Sequence, residues 1–429
     1  MSDNVIRIGV LGCGNVGAAL VQLVEGQRDA VEARTGLRLE VARVAVRNVS
    51  RERNVDLPAG VLTRDAAEVV ADPTIDVIVE VIGGIEPARE LILQALANGK
   101  PVITANKELL ANVGSELYAA ADAAGRDLLF EAAVAGGIPL IRPLRESLIG
   151  EPITRVMGIV NGTTNYILTR MSEAGASYSD ALSEAQSLGY AERDPTADVE
   201  GFDAGAKAAI IASIAFGARV RAGDVYHEGI SKITTGDIAV AHRLGYVVKL
   251  LAIAEQDRAT GDVAVRVHPA MVPNNHPLAS VRDSYNAVFV EGDAVGSLMF
   301  YGRGAGGGPT ASAVFGDVID ASINLRKGTY ASIGALAKAR IKPIDETSAE
   351  YYIPLEVMDR PGVLHAVTGA FATHGVSIRT AEQEGLGADA RLVFITHTAR
   401  ESDVQSTLRS LRELDVVRRI GGVLRVIGS

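Results

Sequence analysis

The sequence predicts an α/β chain in which a doubly wound parallel sheet (residues 1–137) is followed by an α+β segment (138–302), a return segment (303–345) and a ferredoxin-like module (346–429). Three features predict it: an apolar run that breaks into a glycine turn and a helix at the amino end, alternating strand and helix patterns that stop near Gly150, and a second change of hydrophobic period after Pro343. With 429 residues, 48% of them hydrophobic, the chain has material for several cores at roughly 100–200 residues per domain.

Ile6 to Leu11 is the first strand, interrupted only by Arg7 and Gly9, and it meets Gly12, Gly14 and Gly17 ahead of a helical pattern through Val16, Leu20, Leu23 and Val24. In that setting GCGNVG meets the needs of a dinucleotide turn. One glycine makes the turn, the next lets backbone approach a pyrophosphate, and the third lets helix pack on strand. The helix amino terminus then faces the phosphates, which makes Gly12, Gly14, Asn15, Val16 and Gly17 candidate cofactor residues of a Rossmann-type sheet. A glycine turn that binds nothing is the alternative. Further strands are expected at Leu39 to Val46, Ile75 to Gly84, Pro101 to Lys107 and Leu128 to Gly137, with helices at Pro87 to Asn98 and Glu108 to Ala124. Such alternation puts the ligand at the carboxyl ends of parallel strands.

The second strand ends in Val46, Arg47 and Asn48, without the Asp or Glu that meets a free ribose 2′-hydroxyl. Arg47 therefore favours NADP, with NAD still acceptable; a solvated surface arginine is the other reading. Thr104 and Lys107, in TANK, stand at the rim where substrate and nicotinamide would meet. The plainer reading of Lys107 is an exposed lysine at a helix start.

After Gly150 the chain reads VMGIVNGTTNYILTRM, then a polar helix at Ser179 to Ser187, then LGYAERDPTADVEGFDAGAKAAIIASIAFG. Glu192, Asp194, Asp198, Glu200 and Asp203 crowd a short loop before the apolar helix that contains Lys207. A cationic substrate group or a metal would justify that crowding. Asp203 and Lys207 are spaced i, i+4 and share a helix face. On a solvated face such a pair is worth only a few tenths of a kcal/mol, but here it borders the uncharged run Ala208 to Ala218. Gly205 lowers helix propensity by about 1 kcal/mol relative to alanine, which is tolerable where backbone or ligand must come close.

In this order GCGNVG, TANK, EAAVAGGIP, NGTTNYIL and GYAERDPTADVEGFDAGAK resemble homoserine dehydrogenase along the whole chain, and the last string is far more specific than the glycine turn. The resemblance implies NAD(P)-dependent interconversion of L-homoserine and L-aspartate 4-semialdehyde on the threonine, methionine and isoleucine route. It further implies that Glu192 and Asp203 hold the substrate's amino end, and that Lys207 and Lys107 work at the reacting oxygen. Gly205 and Ala208 depart from the residues expected in that helix, which bears on local packing. A structural, sodium-type monovalent cation is implied at Glu131 and the carbonyls of Val134, Gly136 and Ile138, where local sequence alone allows a glycine turn ahead of a helix begun by Pro139. The run GRGAGGGPTASAVFGDVID resembles the family segment that returns to cover the cofactor, with Gly306 carried over; as composition it is a flexible loop. A homodimer or homotetramer is implied, paired through the middle domain.

Removing hydride from an alcohol carbon requires the hydroxyl proton to leave, so a base must lie within about 2.6–3.2 Å of that oxygen. A lysine serves as base only if its pKa falls from about 10.4 toward the working pH. Burial and a second ammonium push it down, whereas Asp203 pushes it up. The expectation is that Asp203 directs its charge to the substrate ammonium. The alternative is that Lys207 stays charged and polarises the oxygen while water carries the proton.

After Pro343 the order is strand, helix, strand, strand, helix, strand, with MDRPGVL at the first turn. This resembles an ACT domain, and threonine is the effector that the resemblance suggests, through Gly362, Val363 and Leu364. A module kept only for oligomerisation is the other reading.

Composition excludes several classes. Lys plus Arg is 42 against 52 for Asp plus Glu, a balance of −10, with no basic run to meet nucleic acid. One cysteine, Cys13, makes no internal disulfide or cysteine-rich zinc site, and the seven histidines have no metal spacing. No signal segment is recognised, and the apolar run Ala208 to Ala218 falls short of the roughly 20 residues of a spanning helix. The expected location is the cytoplasm, away from membranes. Two competing readings are a catalytically silent sensor of nucleotide and amino acid, and an aspartate-semialdehyde dehydrogenase. The latter needs a cysteine nucleophile, which Cys13, inside the phosphate turn, does not supply.

Overall fold

The computed structural model describes residues 4–385 and 390–428. Six parallel strands form the first sheet: β1 (Val5–Leu11), β2 (Arg38–Ala45), β3 (Leu62–Thr63), β4 (Val77–Glu80), β5 (Val102–Thr104) and β6 (Leu128–Leu129), in the order β3-β2-β1-β4-β5-β6. Ile8, Val10, Val77, Ile78, Val79, Val102 and Ile103 are fully buried, as strands covered on both faces by helices require. Three strands are shorter than expected, and of these β5 ends at Thr104 because Asn106 caps the helix that opens at Lys107. β4 stops at Glu80, whose side chain turns back to its own loop, and β6 stops at Leu129 because Glu131–Ala133 is a 3₁₀ turn. β3, two residues long, had no legible pattern. The strand order reverses between β1 and β4, and that is where an open parallel sheet leaves its ligand crevice. The helix Gly307–Lys327 returns to pack on Asn15–Gly26, adding Ala311, Val314, Phe315, Val318 and Ala321 to the core of the first sheet.

The remaining strands make one continuous mixed sheet. β7 (Ile153–Ile159), β8 (Tyr226–His227), β9 (Tyr246–Gln256), β10 (Val263–Pro273), β11 (Tyr285–Gly292) and β12 (Gly296–Arg303) come from the middle of the chain. β13 (Ser348–Val357), β14 (Ile378–Glu384), β15 (Arg391–Thr396), β16 (Ala399–Arg400), β17 (Val417–Ile420) and β18 (Leu424–Val426) come from the carboxyl-terminal module. The main path is β12-β11-β7-β9-β10-β18-β13-β15-β14. The helix Phe202–Phe216 lies on the sheet, with Ala204 and the run from Ala208 to Ala212 buried in its core, so the apolar run of the sequence is a buried helix. Among the described residues no helix is long and apolar enough to cross a membrane.

The module has the expected strand and helix order, with helices Val363–Thr373 and Glu401–Arg412 covering Tyr351, Ile353, Leu355 and Val357. Its expected last strand, in GGVLRVIG, is β18, and a further strand precedes it: β17 lies on the carboxyl half of β13, while β18 pairs with Glu350, Tyr351 and Tyr352 on one side and, in parallel, with Ala270 and Met271 of β10 on the other. The module is therefore built into the middle sheet.

Candidate active site

The carboxylate of Asp203 is the centre of the site. Its Oδ1 lies 2.6 Å from Lys107 Nζ and its Oδ2 lies 2.7 Å from Lys207 Nζ. Lys107 opens the helix Lys107–Ala124 at the carboxyl end of β5, while Asp203 and Lys207 sit one turn apart on Phe202–Phe216, so the contact joins the two sheets. Side-chain exposure grades from 7% at Asp203 and 11% at Lys207 to 45% at Lys107, which makes Lys107 the member facing solvent. Lys207 also donates to the Val160 carbonyl at 2.6 Å. Asn161 Nδ2 donates to Asp203 at 2.9 Å and to Asp198 at 2.7 Å.

Burial favours the neutral acid of Asp203, but the two ammonium groups outweigh it and hold the carboxyl well below the usual carboxylate range. Burial pushes the Lys107 ammonium down, and Asp203 more than offsets that, so its pKa rises. Burial raises the Asp198 carboxyl despite the Asn161 amide. Both oxygens of Asp203 are held by lysine ammonium groups, so a substrate ammonium that reaches it shares the carboxylate with them. The anion favours the cationic form of Lys107.

The acidic loop divides into separate tasks. Asp194 accepts from the amide and hydroxyl of Thr196, Asp198 faces Asn161, and Glu192 is exposed. No cluster of three or more His, Cys, Asp or Glu fit to hold a metal occurs among the described residues. Thr163 Oγ1 donates to the Tyr190 carbonyl, tying the segment before Glu192 to the start of the helix Gly162–Ala174 and so to Asn161. Gly205 has a steric reason: a Cβ there would stand 2.3 Å from His227 Nε2. The imidazole, which β8 presents beside Phe202, occupies the space that the missing side chain leaves.

The glycine turn fits a dinucleotide. Gly12 has φ +103°, and a Cβ there would meet the Val81 carbonyl oxygen at 2.7 Å; a Cβ on Gly17 would meet the Gly12 oxygen at 2.3 Å. Gly14 opens on free space as the cap of Asn15–Gly26 and is exposed with Asn15, while Val16 is half-buried. A second helix amino terminus converges there: Gly306, at φ +117°, caps Gly307–Lys327, and a Cβ on Gly307 would lie 3.1 Å from the Asn15 oxygen. Two sets of unpaired N–H groups thus meet where a diphosphate would lie. Arg47 is exposed at the end of β2, in a loop where Arg53 donates to the Asn48 and Arg51 carbonyls. Burial pushes the Cys13 thiol up against the opposing pull of Arg53, so it is no activated nucleophile.

The turn after β6 holds Ala135 and Gly136 at φ +56° each. The Glu131 carboxylate accepts from the amides of Leu140, Ile141 and Arg142 at 2.5–2.8 Å, and the Glu131 amide donates to Asp317. Its side chain therefore closes the amino terminus of the following helical segment. Gly136 packs so closely on the Gly304 oxygen, at 2.3 Å from an added Cβ, that the turn is fixed to the segment entering the second cofactor helix.

In the module, Gly362 has φ +89° and caps Val363–Thr373. Leu364 is 49% exposed, and the Val363 side chain is buried in the module's own core. Arg425 of β18 is buried between Glu401 of the module and Glu228 beside β8, each at 2.8 Å. Residues that the sequence reading passed over include Glu80, Asn106, Val160, Asn161, Glu228 and Arg425. The NGTTN string was the only signal for Asn161. The others act through contacts between distant segments.

Family comparisons agree with this geometry. The model of the NAD binding domain of homoserine dehydrogenase matches residues 12–131, that of homoserine dehydrogenase itself 139–319, and that of the ACT domain 351–416. A homoserine dehydrogenase of Mycobacterium tuberculosis (strain ATCC 25618 / H37Rv) is 49% identical over 434 residues, covering 99% of this chain and 98% of its own length. One from Bacillus subtilis (strain 168) is 42% identical, covering 99% of each. A crystal structure of a homoserine dehydrogenase from Thiobacillus denitrificans superposes with a TM-score of 0.93 at 41% identity, over 99% of this chain and 98% of that one. A hyperthermophilic archaeal homoserine dehydrogenase in complex with NADPH superposes over 75% of this chain and 98% of its own, with a TM-score of 0.62 at 29% identity.

Proposed function

The chain belongs to the homoserine dehydrogenase family, and from that premise we propose that it reduces L-aspartate 4-semialdehyde to L-homoserine reversibly, with NADP as the preferred cofactor. The observation that carries the reading is the Lys107–Asp203–Lys207 bridge at the junction of the two sheets. When bound, the nicotinamide supplies or takes the hydride. Gly12, Gly14, Asn15, Val16 and Gly17, with Gly306 opposite, hold the diphosphate; Arg47 meets the 2′-phosphate; Thr104 and Lys107 border the reacting end.

The protein's own work is at the oxygen. As the aldehyde carbon is reduced, negative charge develops on its oxygen, and a fixed cation aimed there lowers the barrier most when water is excluded. Lys207, pinned between Asp203 and the Val160 carbonyl, is the fixed cation. Lys107, more exposed and on the other lobe, passes a proton to the oxygen and recovers it in the oxidative direction, alone or through water. Asp203 holds the two ammonium groups together. Glu192 and Asp203 take the substrate ammonium, and Glu131 with the carbonyls of Val134, Gly136 and Ile138 holds a structural monovalent cation. The domain limits at 137, 302 and 345 divide cofactor, substrate and return segments, and the module from 346 binds threonine at Gly362, Val363 and Leu364 as end-product control.

Following NADPH oxidation with aspartate semialdehyde, with and without threonine, tests this. A silent sensor binds NADPH without oxidising it, and a module used only for assembly leaves the rate indifferent to threonine.

A further inference from the structure

We propose that Glu80 is a positioning residue for the reaction, fixing both the start of the Lys107 helix and the loop that faces the phosphate turn. The proposal rests on the reading that Lys107 acts at the substrate oxygen. Glu80 closes β4 at the crevice and is fully buried. Its Oε1 accepts from the amides of Ile82 and Gly83 at 2.8 and 3.2 Å, and its Oε2 accepts from the Thr104 hydroxyl at 2.6 Å. The first two contacts curl the chain into the 82–84 loop, where Gly83 and Gly84 have φ near +77°, next to Val81, whose carbonyl abuts Gly12.

The third contact leads to the lysine. With its proton given to Glu80, Thr104 Oγ1 accepts the Asn106 amide at 3.0 Å. Asn106 in turn caps the helix through Leu109 N–H at 3.1 Å and donates from Nδ2 to the Gly84 carbonyl at 2.6 Å. Glu80, Thr104, Asn106 and the 82–84 loop thus form a ring of hydrogen bonds closed through the backbone from Gly83 to Gly84, and Lys107 is the next residue along the chain. A carboxylate suits the post because it only accepts, so all three donors are satisfied and the direction of the Thr104 hydroxyl is set. A glutamine has the same shape, but with its Oε1 on the loop amides it turns N–H₂ toward Thr104, so that bond reverses and the Thr104 hydroxyl proton loses its acceptor.

The test is a double-mutant cycle on the full-length protein with Glu80→Gln and Thr104→Val, reading kcat and both KM values for semialdehyde reduction together with the melting temperature. The expected result is a loss of about 10–100-fold in kcat for either single variant, at a KM for NADPH within about threefold of the parent. The double variant should lose no more than the worse single, because one ring is broken in all three. Thr104→Ser, which keeps the hydroxyl, should recover most of the loss. Additive losses, or a Glu80→Gln enzyme with parental kcat, would overturn the proposal. Lys107→Met, run alongside, separates the two readings: full turnover there refutes the role of Lys107 itself, whereas a dead Lys107→Met beside an unimpaired Glu80→Gln refutes only the role of Glu80.

Discussion

Replacing Asp203 with asparagine removes the one anion shared by Lys107 and Lys207 at almost unchanged volume. At an effective dielectric near 20, each contact, at 2.6 and 2.7 Å, carries about 6 kcal/mol of gross Coulomb attraction. Desolvation cancels much of this, and Lys107, nearly half exposed, is screened by water. Breaking the buried Lys207 pair should leave a net loss of about 3–5 kcal/mol in folding stability. Asp203 is depressed in the folded state from 3.8, so its contribution is fully present above about pH 4 and is lost only as the pH falls well below that. The variant should lose this acid-side slope. Its catalytic effect runs through the lysines. With Asp203 gone, burial is opposed only by the weaker pull of Asp198 and Glu108, and the Lys107 pKa falls from the parent's, which lies above the ordinary lysine value. Reduction needs the protonated lysine, so the alkaline limb of its pH profile should move to lower pH, and kcat near neutrality should fall about 10²–10³-fold. The assay is NADPH oxidation with aspartate 4-semialdehyde across pH 6–10, roughly the range over which a lysine perturbed in this way titrates. A variant with parental kcat and an unmoved alkaline limb would refute the reasoning.

Three further outcomes follow from individual contacts. Arg47→Ser should raise the KM for NADPH about 10–100-fold while leaving that for NADH nearly unchanged, since only one of the two presents a phosphate to it; equal effects on both would make Arg47 a surface residue. Gly205→Ala puts a methyl 2.3 Å from His227 Nε2, so thermal unfolding should show about 1–3 kcal/mol of destabilisation, partly relieved by His227→Ala. Arg425→Met leaves the carboxylates of Glu228 and Glu401 without their cation, and urea unfolding should give a loss of about 3–5 kcal/mol; a loss confined to the module, with the middle sheet unfolding as before, would contradict the shared sheet.

The local parts of this molecule were legible in its sequence. A run such as Ile6 to Leu11 is apolar without period because both faces of β1 are covered, and Gly12 and Gly17 after it are forced by carbonyls that stand where a Cβ would be. Asp203 and Lys207 were readable because a helix turn places them together. Lys107 reaches the same carboxylate from another lobe, and nothing in its neighbourhood encodes that contact. The Glu131 side chain meets three amides 9–11 residues on, which its residue type does not announce. The strand β17 and the pairing of β18 with β10 were hidden because strands of three or four residues have no period to read.

The central claim is that Lys207 acts as a cation on the reacting oxygen, and the most direct measurement is single-turnover NADPH oxidation by the parent and by Lys207→Met, each saturated with NADPH as judged by its own binding titration. The account predicts rapid oxidation by the parent and a rate at least about 10³-fold lower in the variant, with NADPH affinity retained. A variant that oxidises NADPH at the parental rate, or a parent that binds it and never oxidises it, would contradict the account.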